Sequence, residues 1–207
     1  MTLSAAEAHR AKHAPAVDGV LPIILERWSP RSYDSREVSL ADLRLIFEAA
    51  RWAPSSSNEQ PWRYLVGRRN SQTHSKIAAC LNPGNQIWAA HVAVLMLGVA
   101  RTRFARNDTP NAYAFYDLGA ATMLITLQAA ALGLVTHQMA GFDHAAIRQA
   151  LGIPEDFLLG SVMAIGHQGE PSALPNEKLL GSETATRTRK PLSEIAFSAW
   201  NEPLDLA

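Results

Sequence analysis

The chain has one short segment whose side chains suit an anionic ligand. It reads Arg27-Trp28-Ser29-Pro30-Arg31 and places a hydroxyl group between two guanidinium groups. Because Arg27, Ser29 and Arg31 are two residues apart, an extended backbone would project all three to one side. A phosphate monoester carries roughly −1.5 to −2 charges at neutral pH and needs more than one cation. The segment therefore predicts a phosphate site.

Two further polar segments could complete such a site. Residues 54–58 read Pro-Ser-Ser-Ser-Asn and are followed by Gln60-Pro61-Trp62, at the predicted exit of a helix. Hydroxyl and amide groups of this kind suit a polar, planar ligand. Near the other end of the chain, residues 187–190 read Arg-Thr-Arg-Lys and supply more cations. We expect Gln60 and Trp62 to be structural rather than ligand contacts.

Together these three segments resemble the signature of the nitroreductase family, homodimeric enzymes that hold flavin mononucleotide (FMN) at the subunit interface. The resemblance spans about residues 23 to 200. It implies an α+β fold with a central, mostly antiparallel sheet flanked by helices, and a long buried helix at the dimer interface. It also implies an FMN-dependent NAD(P)H oxidoreductase with ping-pong kinetics, in which hydride from NADH or NADPH passes through flavin N5 to a nitroaromatic, quinone or enone.

The resemblance assigns contacts to individual residues, and no side chain is needed as an obligate catalytic acid or base. Arg187 and Arg189 would join the first segment around the phosphate, and the Ser/Asn turn would approach a flavin bound mainly by the other subunit. Either Asn85 or Gln86 would contact the pyrimidine side of the ring. The expected cofactor contacts are Arg27, Trp28, Ser29, Arg31, Pro54, Ser55, Ser56, Asn58, Asn85, Gln86, Gln138, Met139, Ala140, Gly141, Arg187 and Arg189.

Two departures from the family pattern keep other functions open. Trp88 stands roughly where family members often carry a lysine, and Ala140 where the better-studied members carry a glutamate. The alternatives are a flavin-cleaving or reductively dehalogenating member of the same superfamily, and a flavin-binding module without turnover. His137 and Met139 suit core packing as well as a functional role. In the loop at 101–111, Arg103, Phe104 and Asn107 are candidates for contact with the acceptor.

Composition narrows the class of protein. The 207 residues include 19 basic and 19 acidic side chains, so no global excess of positive charge is available for nucleic acid. The single cysteine, Cys80, excludes an internal disulfide and fits a reducing compartment, where we expect it to be a buried thiol. The N-terminal residues do not form a secretory signal, and the apolar runs at 87–100 and 118–135 suit core elements better than membrane spans. We therefore expect a cytoplasmic protein.

The pattern of apolar residues predicts the element order. We expect a mobile arm over residues 1–19 and a single FMN-binding domain over 20–207. Helices are predicted at 20–28, from Ser39 to the residue before Pro54, at 71–81, at 112–132 and from Asp143 to Leu151. Strands are predicted at 62–66, 91–99 and 158–166, loops at 101–111 and 169–186, and a closing segment at 192–200. The helix at 112–132 is apolar nearly all round, which favours burial against a second subunit.

Other chemistries lack their sequence signals. There is no G-x-G-x-x-G following a strand, so no resident dinucleotide domain is predicted, and there is no G-x-S-x-G motif. His9 and His13 are four residues apart, but the intervening residues lack the glutamate of zinc enzymes. We expect these two histidines to lie on a frayed N-terminal helix and not to bind a metal.

Overall fold

A four-stranded antiparallel sheet forms the centre of the protein in the computed structural model, which describes residues 3–206. Its strands are β1 (Trp62–Arg68), β2 (Val94–Arg101), β3 (Val135–Met139) and β4 (Phe157–Gly166). They pair in the order β1-β2-β4-β3, each pair antiparallel. The predicted α+β fold with a central antiparallel sheet is confirmed.

Strand β2 is buried on both faces because its sequence is an almost unbroken apolar run. Its side chains alternate between two apolar clusters, as the period of two in a strand requires. Met96 packs in the cluster that contains Ile46 and Ile125, whereas Leu97 packs in the cluster on the other face, with Ile77 and Ile147.

The helices pack on the two faces of the sheet, and several of them begin at a capping side chain, as predicted for Ser39 and Asp143. Ser39, Ser71 and Asp143 each accept a hydrogen bond from a backbone N–H in the first turn that follows. Gly152 ends its helix at φ 65°, a conformation that costs glycine little. The helices are α1 (Ala5–Ala11), α2 (Pro22–Glu26), α3 (Leu40–Arg51), α4 (Gln72–Cys80), α5 (Pro83–Ala89), α6 (Ala114–Ala131), α7 (His144–Leu151) and α8 (Glu177–Thr184).

The prediction of a loop over 169–186 is wrong, because α8 lies within it. Asn176 caps this helix by accepting a hydrogen bond from the Leu179 N–H. The helix has eight residues and buries only Glu183, so it carries no apolar stripe from which periodicity could reveal it. Helix α5 and strand β3 were also missed, since each is short.

The N-terminal residues are helical from Ala5 to Ala11, with a reciprocal capping box between Ser4 and Glu7. The predicted mobility of residues 1–19 concerns motion and stays a prediction, and positions 1 and 2 lie outside the described residues. Within residues 3–206, none of the helices is both long and apolar enough to cross a membrane.

Helix α6 leaves an apolar face uncovered in the single chain. Its buried side packs against α3 and the sheet, whereas Phe115 is 56% exposed and Tyr116 77% exposed. At the C-terminal end, a small hairpin of β5 (Phe197–Ala199) and β6 (Glu202–Pro203) leaves Trp200 92% exposed. Exposed aromatic side chains on this scale are typical of interaction surfaces.

Candidate functional site

Three arginines from opposite ends of the sequence come together. Arg27 lies at the C-terminal end of α2, and its Nη2 is 3.5 Å from Ser29 Oγ. Its Nε is buried and has no hydrogen-bond partner in the described part of the chain. Burial lowers the pKa of Arg27, and the positive charges of Arg187 and Arg189 lower it further. Three guanidinium groups that repel one another form a site that an anion would stabilise.

Arg187 and Arg189 differ in how they are held. The Nη1 of Arg187 donates to the carbonyl oxygens of Lys12 and Leu25, both at 2.7 Å, so this side chain is fixed to the N-terminal part of the chain. Arg189 is exposed and donates to its neighbouring Thr188 carbonyl oxygen at 2.7 Å. Arg189 can therefore turn towards a ligand at little cost.

The segment that carries Arg31 is anchored by a carboxylate that the sequence did not suggest. Glu183 accepts hydrogen bonds from the backbone N–H groups of Arg31, at 3.0 and 3.1 Å, and of Ser32, at 3.0 Å. The Trp28 side chain turns away from this surface: it is 6% exposed, and its Nε1 donates to His9 Nδ1 at 3.1 Å. The structure thus places the Trp28 side chain against His9 of α1, where it is buried.

A second group of predicted residues meets where β3 ends and α5 begins. The Asn85 Nδ2 donates to the Gly141 carbonyl oxygen at 2.9 Å, whereas the Gln86 Nε2 faces the Ala78 carbonyl oxygen at 3.3 Å. A Cβ atom on Gly141 would lie 2.8 Å from Asn85 Nδ2, so this approach requires glycine. Of the two amide candidates, Asn85 is the one beside the exposed Ala140.

Gln138 and Met139, the other two predicted contacts in the segment at 138–141, have partners within the fold. The Gln138 Oε1 accepts a hydrogen bond from Ser161 Oγ at 2.9 Å. Met139 is 3% exposed and belongs to one of the two apolar clusters of the sheet. Its side chain packs in the core.

His137 joins the arginine segment to the α5 region. Its Nδ1 lies 3.0 Å from the carbonyl oxygens of both Ser29 and Pro30, so Nδ1 must carry the hydrogen. Burial, and secondarily the charge of Arg31, lower the pKa of His137 to about 4. Its ring is 4.8 Å from that of Trp88, which is itself 6% exposed. Trp88 and His137 thus form an uncharged aromatic cluster, in which Trp88 is buried and His137 half-buried.

The Ser/Asn turn is strained and held by a buried acid. Ser57, Asn58 and Gln60 all have positive φ values, of 54°, 55° and 53°. The Ser56 N–H donates to Oδ2 of Asp117, the only charged residue in α6 and 3% exposed. Backbone strain of this kind persists where surrounding contacts enforce it, often at functional sites. A cavity of about 300 Å³ opens here, lined by Pro54, Ser55, Ser56, Tyr113, Tyr116 and Asp117.

The loop at 101–111 lies against this turn. The Ala105 N–H donates to Glu59 Oε1 at 2.8 Å, and Arg106 Nη2 lies 3.5 Å from Ser57 Oγ. Arg103 pairs with Asp108 at 2.9 Å. The loop that carries the three candidate residues for acceptor contact, Arg103, Phe104 and Asn107, therefore lies beside the Ser/Asn turn.

The site is thus divided into two parts. In residues 3–206, no hydrogen bond or ion pair connects the Ser/Asn turn with Arg27, Arg31, Arg187 or Arg189. The first part contains the arginines, which suit a phosphate, and the Asn85 amide, which suits a polar ring. The second part is the Ser/Asn turn, which supplies hydroxyl and amide groups.

Comparison with known proteins gives a consistent result. The nitroreductase family profile matches residues 24–167. A protein from Archaeoglobus fulgidus named as an NADH dehydrogenase/NAD(P)H nitroreductase is 30% identical over 151 residues, which cover 71% of this chain and 84% of the relative. The crystal structure of an oxidoreductase containing FMN superposes with a TM-score of 0.82 at 34% identity, covering 89% of this chain and 94% of that one.

A Desulfovibrio desulfuricans structure in complex with FMN superposes with a TM-score of 0.71 at 27% identity, over 92% of this chain and 100% of that one. The sequence match and the shared fold agree over most of the chain. The chain therefore belongs to the nitroreductase family of oxidoreductases.

Proposed function

We propose that the protein is an FMN-dependent NAD(P)H oxidoreductase that works as a homodimer. The observation that carries the proposal is the meeting of Arg27, Arg187 and Arg189, whose mutual repulsion calls for a polyanionic ligand. Two similar structures, described as containing FMN or in complex with it, support the identity of that ligand.

The donor set fits the two ends of FMN. Arg27, Ser29, Arg187 and Arg189 would hold the phosphate, together with Arg31, whose backbone is fixed by Glu183. Asn85 would donate to the pyrimidine side of the ring, since its amide lies beside Gly141, to whose carbonyl oxygen it donates. The backbone at Ala140 and Gly141 would approach the N5 side.

Bound FMN would supply two-electron transfer, taking hydride from NADH or NADPH and passing electrons to an electron-poor acceptor such as a nitroaromatic, quinone or enone. The chain's own residues would bind and orient these partners. Arg31 supplies positive charge beside the uncharged His137–Trp88 cluster. The loop at 101–111, with Arg103, Phe104 and Asn107, would shape the acceptor pocket of the other subunit.

A homodimer would unite the two parts of the site. The Ser/Asn turn lies beside the exposed aromatic face of α6, where Phe115 and Tyr116 would be covered by a second copy. The turn of one chain, with Pro54, Ser55, Ser56 and Asn58, could then cover a ring held by the arginines and Asn85 of its partner.

The visible spectrum of the protein as purified tests cofactor identity without assuming a substrate. We expect a flavin spectrum, and release of FMN on denaturation. Stopped-flow mixing of the holoprotein with NADH or NADPH should then bleach the absorbance band at about 450 nm, which is a property of the flavin itself. Bound flavin that no nicotinamide bleaches would contradict the enzyme and indicate a flavin-binding module.

A further inference from the structure

A buried lysine connects the N-terminal segment with α8. Lys12 is 5% exposed, and its Nζ donates to the carbonyl oxygens of Ser182, at 2.7 Å, and of Ala185. These two carbonyl groups lie at the C-terminal end of α8, where the helix dipole favours a cation. The ammonium group also lies 5.1 Å from the centre of the Trp28 ring.

Glu183 attaches the same helix to the arginine segment. It is the only buried residue of α8 and has no exposed surface. Its carboxylate accepts hydrogen bonds from the backbone N–H groups of Arg31 and Ser32. A buried carboxylate is costly unless it is well hydrogen-bonded, so these contacts fix the position of α8 relative to residues 31–32.

Arg187 connects the tail of the chain with Lys12. It follows Glu183 by four residues and donates to the carbonyl oxygen of Lys12 itself. Lys12, Glu183 and Arg187, which we call the polar clamp, therefore tie together the N-terminal segment, the segment at 27–32 and the tail that carries Arg189. None of the three lies in the stretch matched by the family profile, residues 24–167.

We propose that Lys12 and Glu183 are positioning residues for the phosphate end of the cofactor, and that the N-terminal segment up to Lys12 is a working part of that site. The inference rests on the proposed function, because it requires FMN as the ligand. The polar clamp fixes where Arg187 and Arg189 stand opposite Arg27 and Arg31. Its loss should weaken binding of the phosphate and spare binding of the ring.

The Glu183→Gln variant separates positioning from simple electrostatics. Removing a negative charge beside a cationic site would, by charge alone, tighten the binding of FMN. The polar clamp predicts the opposite, because the new side-chain amide would replace one carboxylate oxygen and turn an N–H donor towards the backbone N–H of Arg31. We expect FMN affinity to fall roughly tenfold and riboflavin affinity to change less than about twofold, since riboflavin lacks the phosphate. Unchanged or tighter FMN binding would overturn the proposal.

A matched pair of variants keeps the test decisive if Glu183→Gln does not fold. Lys12→Met and Arg10→Met each remove one positive charge from the N-terminal segment, but Arg10 is exposed, whereas the buried Lys12 ammonium donates to the Ser182 carbonyl oxygen of α8. Thermal melting of the apoproteins checks folding. Lys12→Met should lower the FMN-to-riboflavin affinity ratio by roughly tenfold, and Arg10→Met by less than about twofold.

Fluorescence titration of the wild type and of each variant, with FMN and with riboflavin, measures the affinities for both flavins. A wild-type protein that prefers FMN, together with variants that keep the same preference, would overturn the polar clamp and leave the proposed function standing. A wild-type protein that binds neither flavin would overturn both.

Discussion

At the scale of single residues, the site depends on charged and titratable groups held in unfavourable surroundings. Burial lowers the pKa of Arg27, and the charges that lower it further are those of other arginines. His137 is half-buried and neutral beside Arg31, with a lowered pKa. Such arrangements cost free energy in the absence of a ligand, which is why strongly perturbed groups often mark functional sites.

His137 should make stability depend on pH over a defined range. Its pKa is about 4 in the folded protein, against an ordinary 6.5. Between these values the unfolded chain binds more protons, so the free energy of unfolding falls as the pH is lowered from 6.5 towards 4. The loss should be about 2–3 kcal/mol. Above pH 6.5 the ring is neutral in both states, and its contribution is fully present.

His137→Asn is the matched variant, because the asparagine amide can still donate to the Ser29 and Pro30 carbonyl oxygens but does not titrate. Urea denaturation at several pH values should show a smaller loss of stability in the variant between pH 6.5 and 4. Parallel curves for the two proteins would show that His137 is not the group responsible.

At the scale of elements, the sequence predicted those whose ends carry clear signals. Ser39 and Asp143 cap helices as expected, and the Val- and Leu-rich run of β2 is buried as expected. Elements without an apolar stripe were missed. The one buried residue of helix α8 is the charged Glu183, and hydrophobic periodicity cannot reveal a helix that buries a carboxylate.

The sequence also revealed only some of the residues of the candidate site. The segments that carry Arg27, Ser55 and Arg187 were recognisable by residue type, because several hydroxyl, amide or guanidinium groups stand together. The single polar residues Lys12 and Glu183 were not, since the partner of each is distant in sequence. Asp117 differs from them, because it could have been recognised from the sequence as the one charged residue in an apolar helix.

Gly141 should set the spacing between β3 and α5. A Cβ atom there would lie 2.8 Å from Asn85 Nδ2 and 3.1 Å from Asn82 Nδ2, so Gly141→Ala must displace Asn85. We expect a loss of about 1–3 kcal/mol in stability and weaker FMN binding. Gly84→Ala is the control in the helix that carries Asn85, because nothing lies within 4 Å of its added methyl group.

Chemical denaturation and flavin titration measure both effects. Gly84→Ala should be neutral or stabilising by up to about 1 kcal/mol, since alanine favours the helix. Equal behaviour of the two variants would contradict the proposed contact between Asn85 and the segment at 140–141.

At the scale of the whole molecule, two incomplete parts of a site and an uncovered aromatic face have one common explanation. Arg27 and its partners would hold one end of the proposed ligand, while the Ser/Asn turn lies elsewhere on the same chain beside Tyr116. The exposed Trp200 hairpin adds a further apolar surface. Association of two copies would bury these surfaces and bring the two parts together, so we expect dimerisation and cofactor binding to be coupled.

Tyr116→Glu tests this coupling directly. Tyr116 is 77% exposed in the single chain, so the substitution should leave the monomer folded while placing a charge in the proposed subunit interface. We expect light scattering to give the mass of one chain at micromolar concentration. FMN affinity should fall by tenfold or more, roughly the effect of 1.4 kcal/mol.

The control for Tyr116→Glu is Leu40→Glu, which also places a carboxylate at an exposed apolar position. Leu40 is 67% exposed in the first turn of α3, at the opposite end of that helix from the Ser/Asn turn. A carboxylate is favourable in a first turn, so this variant should stay dimeric and yellow. A Tyr116→Glu monomer that binds FMN as tightly as the wild type would show that one chain suffices. It would also remove the reason for assigning the Ser/Asn turn to a partner's flavin.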